Sequence, residues 1–168
     1  MSQIFSDENH SCEIDFSSAS WATDQLNVIF HNAKLSILHD VDFVVETTDE
    51  LLLVEYKNAN LANAANPDAF KPMDDRRIDN VARKYYESSY YLQAIRRGEH
   101  KKKRFIYILE HISGNSVMRN IVRNRLKGRL PFLLQQQVGL QENLIDSLEV
   151  LSIAEWNEKY AQFPLKLI

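Results

Sequence analysis

The chain has 168 residues, of which 45% are hydrophobic and 26% are charged, and its formal net charge is −3. These values predict one folded domain over residues 1–168 and exclude a largely disordered chain, while four glycines and four prolines exclude collagen-like and low-complexity sequence. The longest apolar run, Phe105–Leu109, is much shorter than the roughly 18 residues of a membrane span. The single cysteine, Cys12, excludes an internal disulfide, and the first residues lack the basic and apolar stretches of a signal peptide. We therefore expect a cytoplasmic protein without a membrane segment.

Charge is concentrated in two blocks of opposite sign. Residues 1–55 contain eleven acidic residues and one base, Lys34, whereas residues 96–129 contain eleven bases and two acids. Basic groups that bind phosphates and acidic groups that hold a metal would produce such a division. The alternative is that the bases are surface residues which neutralise the acids within the fold.

The first third of the chain predicts a helix followed by a β-hairpin. Residues 18–33 carry an apolar stripe at spacings of three and four, which is typical of a helix. The run from Leu35 to Val45 favours a strand, residues 46–50 a turn, and Leu51–Lys57 a second strand that is apolar enough to be central in a sheet. We expect the two strands to pair as a hairpin.

The rest of the chain predicts alternating helices and strands beyond a long loop. Residues 58–75 are rich in asparagine and proline, and loops of this length are often functional. The segments that follow are a helix over 76–97 ended by Gly98, a strand over 103–110, a basic helix over 115–128, a strand over 147–153 and a short helix over 154–162. This order indicates an α/β fold.

Charged residues interrupt both strands of the predicted hairpin. Because successive strand side chains point to opposite faces, Glu55 and Lys57 share one face at the end of an otherwise apolar strand. Asp42 likewise interrupts the apolar run of the preceding strand, and closing the hairpin brings it close to Glu55. Two carboxylates so placed repel each other unless they share a divalent cation. The alternative is a buried or half-buried ion pair on the sheet face.

This pattern resembles the PD-(D/E)XK nuclease superfamily, which includes type II restriction enzymes and archaeal Holliday junction resolvases. Asp42 matches the first acid of the motif and Glu55-Tyr56-Lys57 matches its second part, although Val41 stands where the motif's name has proline. The resemblance implies a restriction-endonuclease-like core over about residues 18–110, with helix-strand-strand-strand-helix-strand order and a mixed sheet of about four strands. A C-terminal helical and strand extension would then occupy about residues 111–168.

The same resemblance implies metal-dependent hydrolysis of phosphodiester bonds. Asp42 and Glu55 would hold Mg²⁺, or Mn²⁺ in its place, and the backbone carbonyl of Tyr56 would complete the coordination. Lys57 would orient or activate the attacking water. The expected partner is nucleic acid, DNA rather than RNA. The resemblance does not decide between single-stranded and double-stranded substrates.

Further candidates lie outside the motif. Family members often add an acid from the first helix, for which Asp24 is the candidate with Glu13 behind it, and Asp40 competes with Asp42 as a ligand. The groups expected to bind nucleic acid are Lys84, Lys101, Lys102, Lys103, Arg119 and Arg123. For Asp24 and Lys84 the alternative is ordinary charge on a helix surface.

Two other classes of function stay open at the level of the sequence. A nuclease fold that has lost its chemistry would bind nucleic acid or a protein partner. A plain interaction protein would form a homodimer through Pro131–Leu134 and the C-terminal tail.

Overall fold

A computed structural model describes residues 2–61, 66, 69–111 and 114–168, which form a mixed α/β fold with two sheets. In chain order the elements are β1 (Ile4–Ser6), β2 (Cys12–Asp15), β3 (Trp21–Thr23), α1 (Leu26–Asn32), β4 (Phe43–Glu46), β5 (Glu50–Asn58), α2 (Asp75–Ala94), β6 (Lys102–Glu110), α3 (Ser116–Lys127), α4 (Phe132–Gln137), β7 (Ser147–Leu151), α5 (Ile153–Lys159) and β8 (Leu165–Leu167). One sheet has five strands in the order β3-β4-β5-β6-β7, and the other has three in the order β1-β2-β8.

The five-stranded sheet is built around β5, whose apolar run is buried on both faces. β5 pairs antiparallel with β4 on one side and parallel with β6 on the other. The expected hairpin is therefore confirmed. So is the alternation along β5, because Leu51 and Leu53 belong to one buried cluster while Leu52 and Val54 belong to the other.

Helices α2 and α3 cover one face of this sheet. The buried stripe of α2, which includes Ile78, Val81 and Tyr85, packs in the same cluster as Leu51 and Leu53. Asp74 begins α2 by accepting a hydrogen bond from the Arg76 N–H, as an N-cap does. None of the helices in the described parts of the chain is long and apolar enough to cross a membrane.

The small three-stranded sheet and α5 cover the opposite face. Phe16, Trp156 and Phe163 pack there with Val54 and Ile106 of the central strands. A capping box of Ser152 and Glu155 begins α5. Residues beyond 111 therefore contribute to both sheets, through β7 beside β6 and β8 beside β2.

Several expectations about the N-terminal half were wrong. The helix predicted over 18–33 is only Leu26–Asn32, because Trp21–Thr23 pairs with β4 and forms an edge strand. The central sheet has five strands where about four were expected, and two strands stand between α1 and α2 where the resemblance implied three. The strand predicted from Leu35 is confined to β4, since Leu35 and Ile37 are exposed and have no sheet face to cover.

Other boundaries differ less. The helix predicted over 76–97 ends at Ala94, and the predicted C-terminal strand and helix are β7 and α5 with shifted ends. Strands β1, β2 and β8 were not predicted, because runs of three or four residues carry little periodicity of their own. Of the loop predicted over 58–75, residues 62–65 and 67–68 lie outside the described residues.

Candidate active site

The register of the β4–β5 hairpin brings Asp42 and Glu55 together. Phe43 is paired with Val54, so the next position outward places Asp42 opposite Glu55. The Tyr56 backbone N–H donates a hydrogen bond of 2.7 Å to Asp42 Oδ2, which fixes the aspartate against the end of β5. Both carboxylates line a small polar cavity of about 130 Å³. The pair predicted from the strand pattern is therefore adjacent in space.

Glu55 is buried, with 6% of its surface exposed, and its two oxygens differ. Oε1 accepts a hydrogen bond of 2.6 Å from the Lys84 ammonium on α2. Oε2 is buried and has no hydrogen-bond partner among the residues that the structure describes. A buried carboxylate oxygen without a partner is costly, so this atom is suited to receiving a cation or a donor from a ligand.

The electrostatics of the cavity favour an additional positive charge. Burial and the negative charge of Asp42 raise the pKa of Glu55 to about 8, an effect that Lys84 only partly offsets. Burial also raises the pKa of Asp42 to about 6, although the positive charge of Lys84 acts to lower it. Burial tends to lower the pKa of Lys84, but the charges of Glu55 and Asp42 outweigh it and the net shift is upward. Lys84 therefore stays protonated, and the two carboxyls take up either a proton or another cation.

Lys57 and a second cation lie beside the carboxylates around an aromatic ring. Lys57 is half-buried and lines the same cavity as Glu55. Its ammonium nitrogen is 5.2 Å from the centre of the Phe70 ring, and the Arg77 guanidinium is also 5.2 Å from that centre. Both contacts are within the range of cation–π attraction, so the ring holds two positive charges near the cavity. Sequence reasoning did not single out Phe70 or Arg77.

The N-terminal hairpin supplies another part of the cavity that sequence reasoning missed. Asp7, in the turn between β1 and β2, is buried and accepts backbone hydrogen bonds from Asn9, Ser11 and Cys12. Burial tends to raise the pKa of Asp7, but these bonds outweigh it and hold the pKa below its ordinary value. The turn places Glu8, Asn9 and Ser11 on the cavity wall. An Asp followed by polar residues in a short turn was the available signal.

The other acids considered as metal ligands, either beside Asp42 and Glu55 or in place of Asp42, are not on the described wall of the cavity. The Asp24 carboxylate contacts the side chain of Gln25, and Asp24 follows β3 instead of lying in the first helix. Asp40 accepts a hydrogen bond of 3.2 Å from Asn27, and burial raises its pKa. Neither residue is on the described wall of the cavity, although the charge of Asp40 contributes to the raised pKa of Glu55. Glu13 is exposed on β2.

The lysines predicted to bind nucleic acid lie at two ends of the sheet. Lys84 is in the cavity, but the parallel register pairs Lys102 with Glu50, five residues before Glu55. At about 3.3 Å per residue, this places Lys101–Lys103 about 17 Å from the carboxylates. Lys101 is 3.3 Å from Glu46, and Lys103 is 3.0 Å from Glu142.

The two arginines predicted to bind nucleic acid are on α3. The Arg119 guanidinium forms an ion pair of 3.3 Å with Glu155 of α5, and Arg123 is half-buried. The run at 101–103 is thus remote from the carboxylates, and Arg119 is already paired within the fold.

The donor set of the cavity fits one hydrated divalent cation. Within the described ranges no three His, Cys, Asp or Glu side chains are grouped as a metal site. Asp42 and Glu55 offer two carboxylates, and one oxygen of Glu55 has no hydrogen-bond partner among the described side chains and backbone groups. Mg²⁺ is commonly held by one or two carboxylates together with waters and substrate phosphate oxygens, so two such ligands are sufficient.

Comparisons of the chain with protein-family models, with curated proteins and with solved structures found no match. The function of the protein is therefore inferred from the chemistry of the cavity.

Proposed function

We propose that this protein is a metal-dependent nuclease with a restriction-endonuclease-like core, which hydrolyses phosphodiester bonds of nucleic acid, DNA in preference to RNA. The observation that carries the proposal is the buried Oε2 of Glu55 beside Asp42, which has no hydrogen-bond partner within the described part of the chain, in a cavity that Lys57 also lines. A hairpin followed by α2 and the parallel strand β6 is compatible with such a core.

Each residue of the cavity has a distinct role in this proposal. Asp42 and Glu55 would hold the cation, with the Tyr56 carbonyl as a further oxygen donor. When bound there, Mg²⁺ or Mn²⁺ would polarise the phosphodiester and lower the pKa of a bound water. Lys57 offsets the negative charge that develops on the phosphate and orients the water, while Lys84 is a positioning residue that fixes Glu55 through its Oε1.

A cleavage assay with matched variants tests this proposal. Supercoiled plasmid, single-stranded DNA and RNA would be incubated with the protein in Mg²⁺, in Mn²⁺ and in EDTA. Wild type should cut at least one of the three in metal only, and Asp42→Asn and Glu55→Gln should lose that activity. Glu158→Gln, at an exposed position on α5, is the control and should cut like wild type.

Two results would contradict the nuclease proposal. One is metal-dependent cutting that survives in Glu55→Gln, which would indicate a contaminating nuclease or another site. The other is the absence of cutting for all three substrates in either metal.

A further inference from the structure

A larger groove opens directly beside the carboxylate cavity. Its volume is about 1190 Å³, which exceeds the roughly 300–1,000 Å³ of a pocket for one small ligand. The groove and the cavity share Asn9, Ser11, Lys57 and Asn58 on their walls. A substrate whose scissile bond lies at the carboxylates would therefore extend into this groove.

The lining of the groove combines polar and apolar side chains and carries little charge. Asn9 and Asn60 are exposed on its wall, and their side-chain amides are accessible to a ligand. Its apolar part includes Ile153 and Leu167. On the described wall the formally charged residues are Lys57, which is shared with the cavity, and Glu110, which accepts a hydrogen bond from the Ile153 N–H.

This combination suits nucleobases better than a phosphate backbone. Amide side chains offer a donor and an acceptor to the edge of a base, and aliphatic side chains contact its flat faces. A surface that follows phosphates needs a series of lysines or arginines, and the basic run at 101–103 is at the other end of the sheet. The edges and faces of bases are both accessible only where the strand is unpaired.

We infer that the groove binds two or more unpaired nucleotides through their bases, next to the bond that is cut. The inference rests on the proposed function and specifies its substrate as single-stranded nucleic acid or an unpaired segment. Asn9 and Asn60 are then residues that contact the bases, and Lys57 contacts the phosphate at the boundary between groove and cavity.

Fluorescence anisotropy in EDTA tests the inference without depending on cleavage. The probes are a labelled single-stranded oligonucleotide, the duplex of the same sequence and an abasic strand of the same length. Wild type should bind the single strand about tenfold more tightly than the abasic strand, which has the same phosphates, and more tightly than the duplex. The double variant Asn9→Ala/Asn60→Ala should bind the single strand about tenfold more weakly, in line with the loss of one or two hydrogen bonds.

Asn120→Ala provides the matched control, because Asn120 is exposed on α3 and is not part of the groove wall. The inference would be overturned if wild type bound the abasic strand or the duplex as tightly as the single strand. It would also be overturned if the double variant bound the single strand as tightly as wild type does, or if wild type did not bind the single strand at all. If the protein cuts duplex DNA in metal but binds the single strand and the abasic strand equally, the nuclease proposal stands and the binding of bases in the groove is rejected. Base-dependent binding without cutting would keep the groove and reject the nuclease.

Discussion

At the scale of single residues, Glu55 determines what the cavity can do. It is buried, its carboxyl stands beside that of Asp42, and among the residues that the structure describes only Lys84 pairs with it, through one of its two oxygens. In this arrangement the ionised carboxylate is costly until a cation joins it. The same feature that makes the ionised carboxylate costly would therefore favour the binding of a divalent cation.

The raised pKa of Glu55 predicts a dependence of stability on pH. Between its ordinary pKa of 4.5 and its folded pKa of about 8, the folded state binds more protons at this carboxyl than the unfolded state does. The contribution of Glu55 to the free energy of unfolding should therefore fall as pH rises through this window. Urea denaturation of wild type and Glu55→Gln at pH 5 and pH 8, without metal, should show that the variant is relatively more stable at pH 8. If the difference in the free energy of unfolding between wild type and Glu55→Gln is the same at both pH values, the pKa of Glu55 is not raised in the folded state.

Lys57 should affect turnover more than metal binding. Because its ammonium is expected to act on the reacting phosphate and water, Lys57→Met should lower kcat by roughly 10²–10³, as the loss of a preorganised donor does elsewhere. Its affinity for Mn²⁺ should stay close to that of wild type. Lys34→Met is the control, since Lys34 is exposed after α1. Unchanged kcat in Lys57→Met would remove Lys57 from the mechanism.

At the scale of elements, the N-terminal hairpin forms part of the site. Asp7 accepts hydrogen bonds from three backbone N–H groups and from the Ser11 hydroxyl, and so fixes the turn that carries Glu8 and Asn9. Asp7→Ala should leave buried donors unsatisfied and lower the free energy of unfolding by about 1–3 kcal/mol. Glu8→Ala, at the exposed neighbouring position, should change it little. Urea denaturation of the two variants measures this difference, and equal stabilities would show that the turn does not depend on Asp7.

The elements that could be predicted from the sequence are those with strong local patterns. β5, β6 and α2 could be predicted from the apolar runs of the two strands and the amphipathic stripe of the helix. The alternation along β5 placed Glu55 on the correct face of the sheet. β3 was assigned to a helix because Ala22 continues the helical spacing, whereas pairing with β4 decides its conformation. The turn around Asp7 has a local signal in its aspartate and polar residues, but its position beside Asp42 and Glu55 depends on the packing of distant segments.

At the scale of the whole molecule, three bases of the basic block pair with two acids of the acidic block. Arg97 and Lys101 of the basic block pair with Glu46 of the acidic block, and Arg104 pairs with Glu50. These contacts are at the end of the sheet where β5 and β6 begin, away from the carboxylate cavity. For these residues the charge pattern reflects neutralisation within the fold, which a count along the sequence could not distinguish from a phosphate-binding surface.

The nuclease proposal requires that Asp42 and Glu55 hold a divalent cation, and calorimetric titration of Mn²⁺ at pH 8 measures this binding. At this pH Asp42 is ionised and protons compete weakly for Glu55. Wild type and Glu158→Gln should bind Mn²⁺ saturably, whereas Glu55→Gln and Asp42→Asn should lose this binding. Absence of binding to wild type, or equal binding to Glu55→Gln, would contradict the proposal.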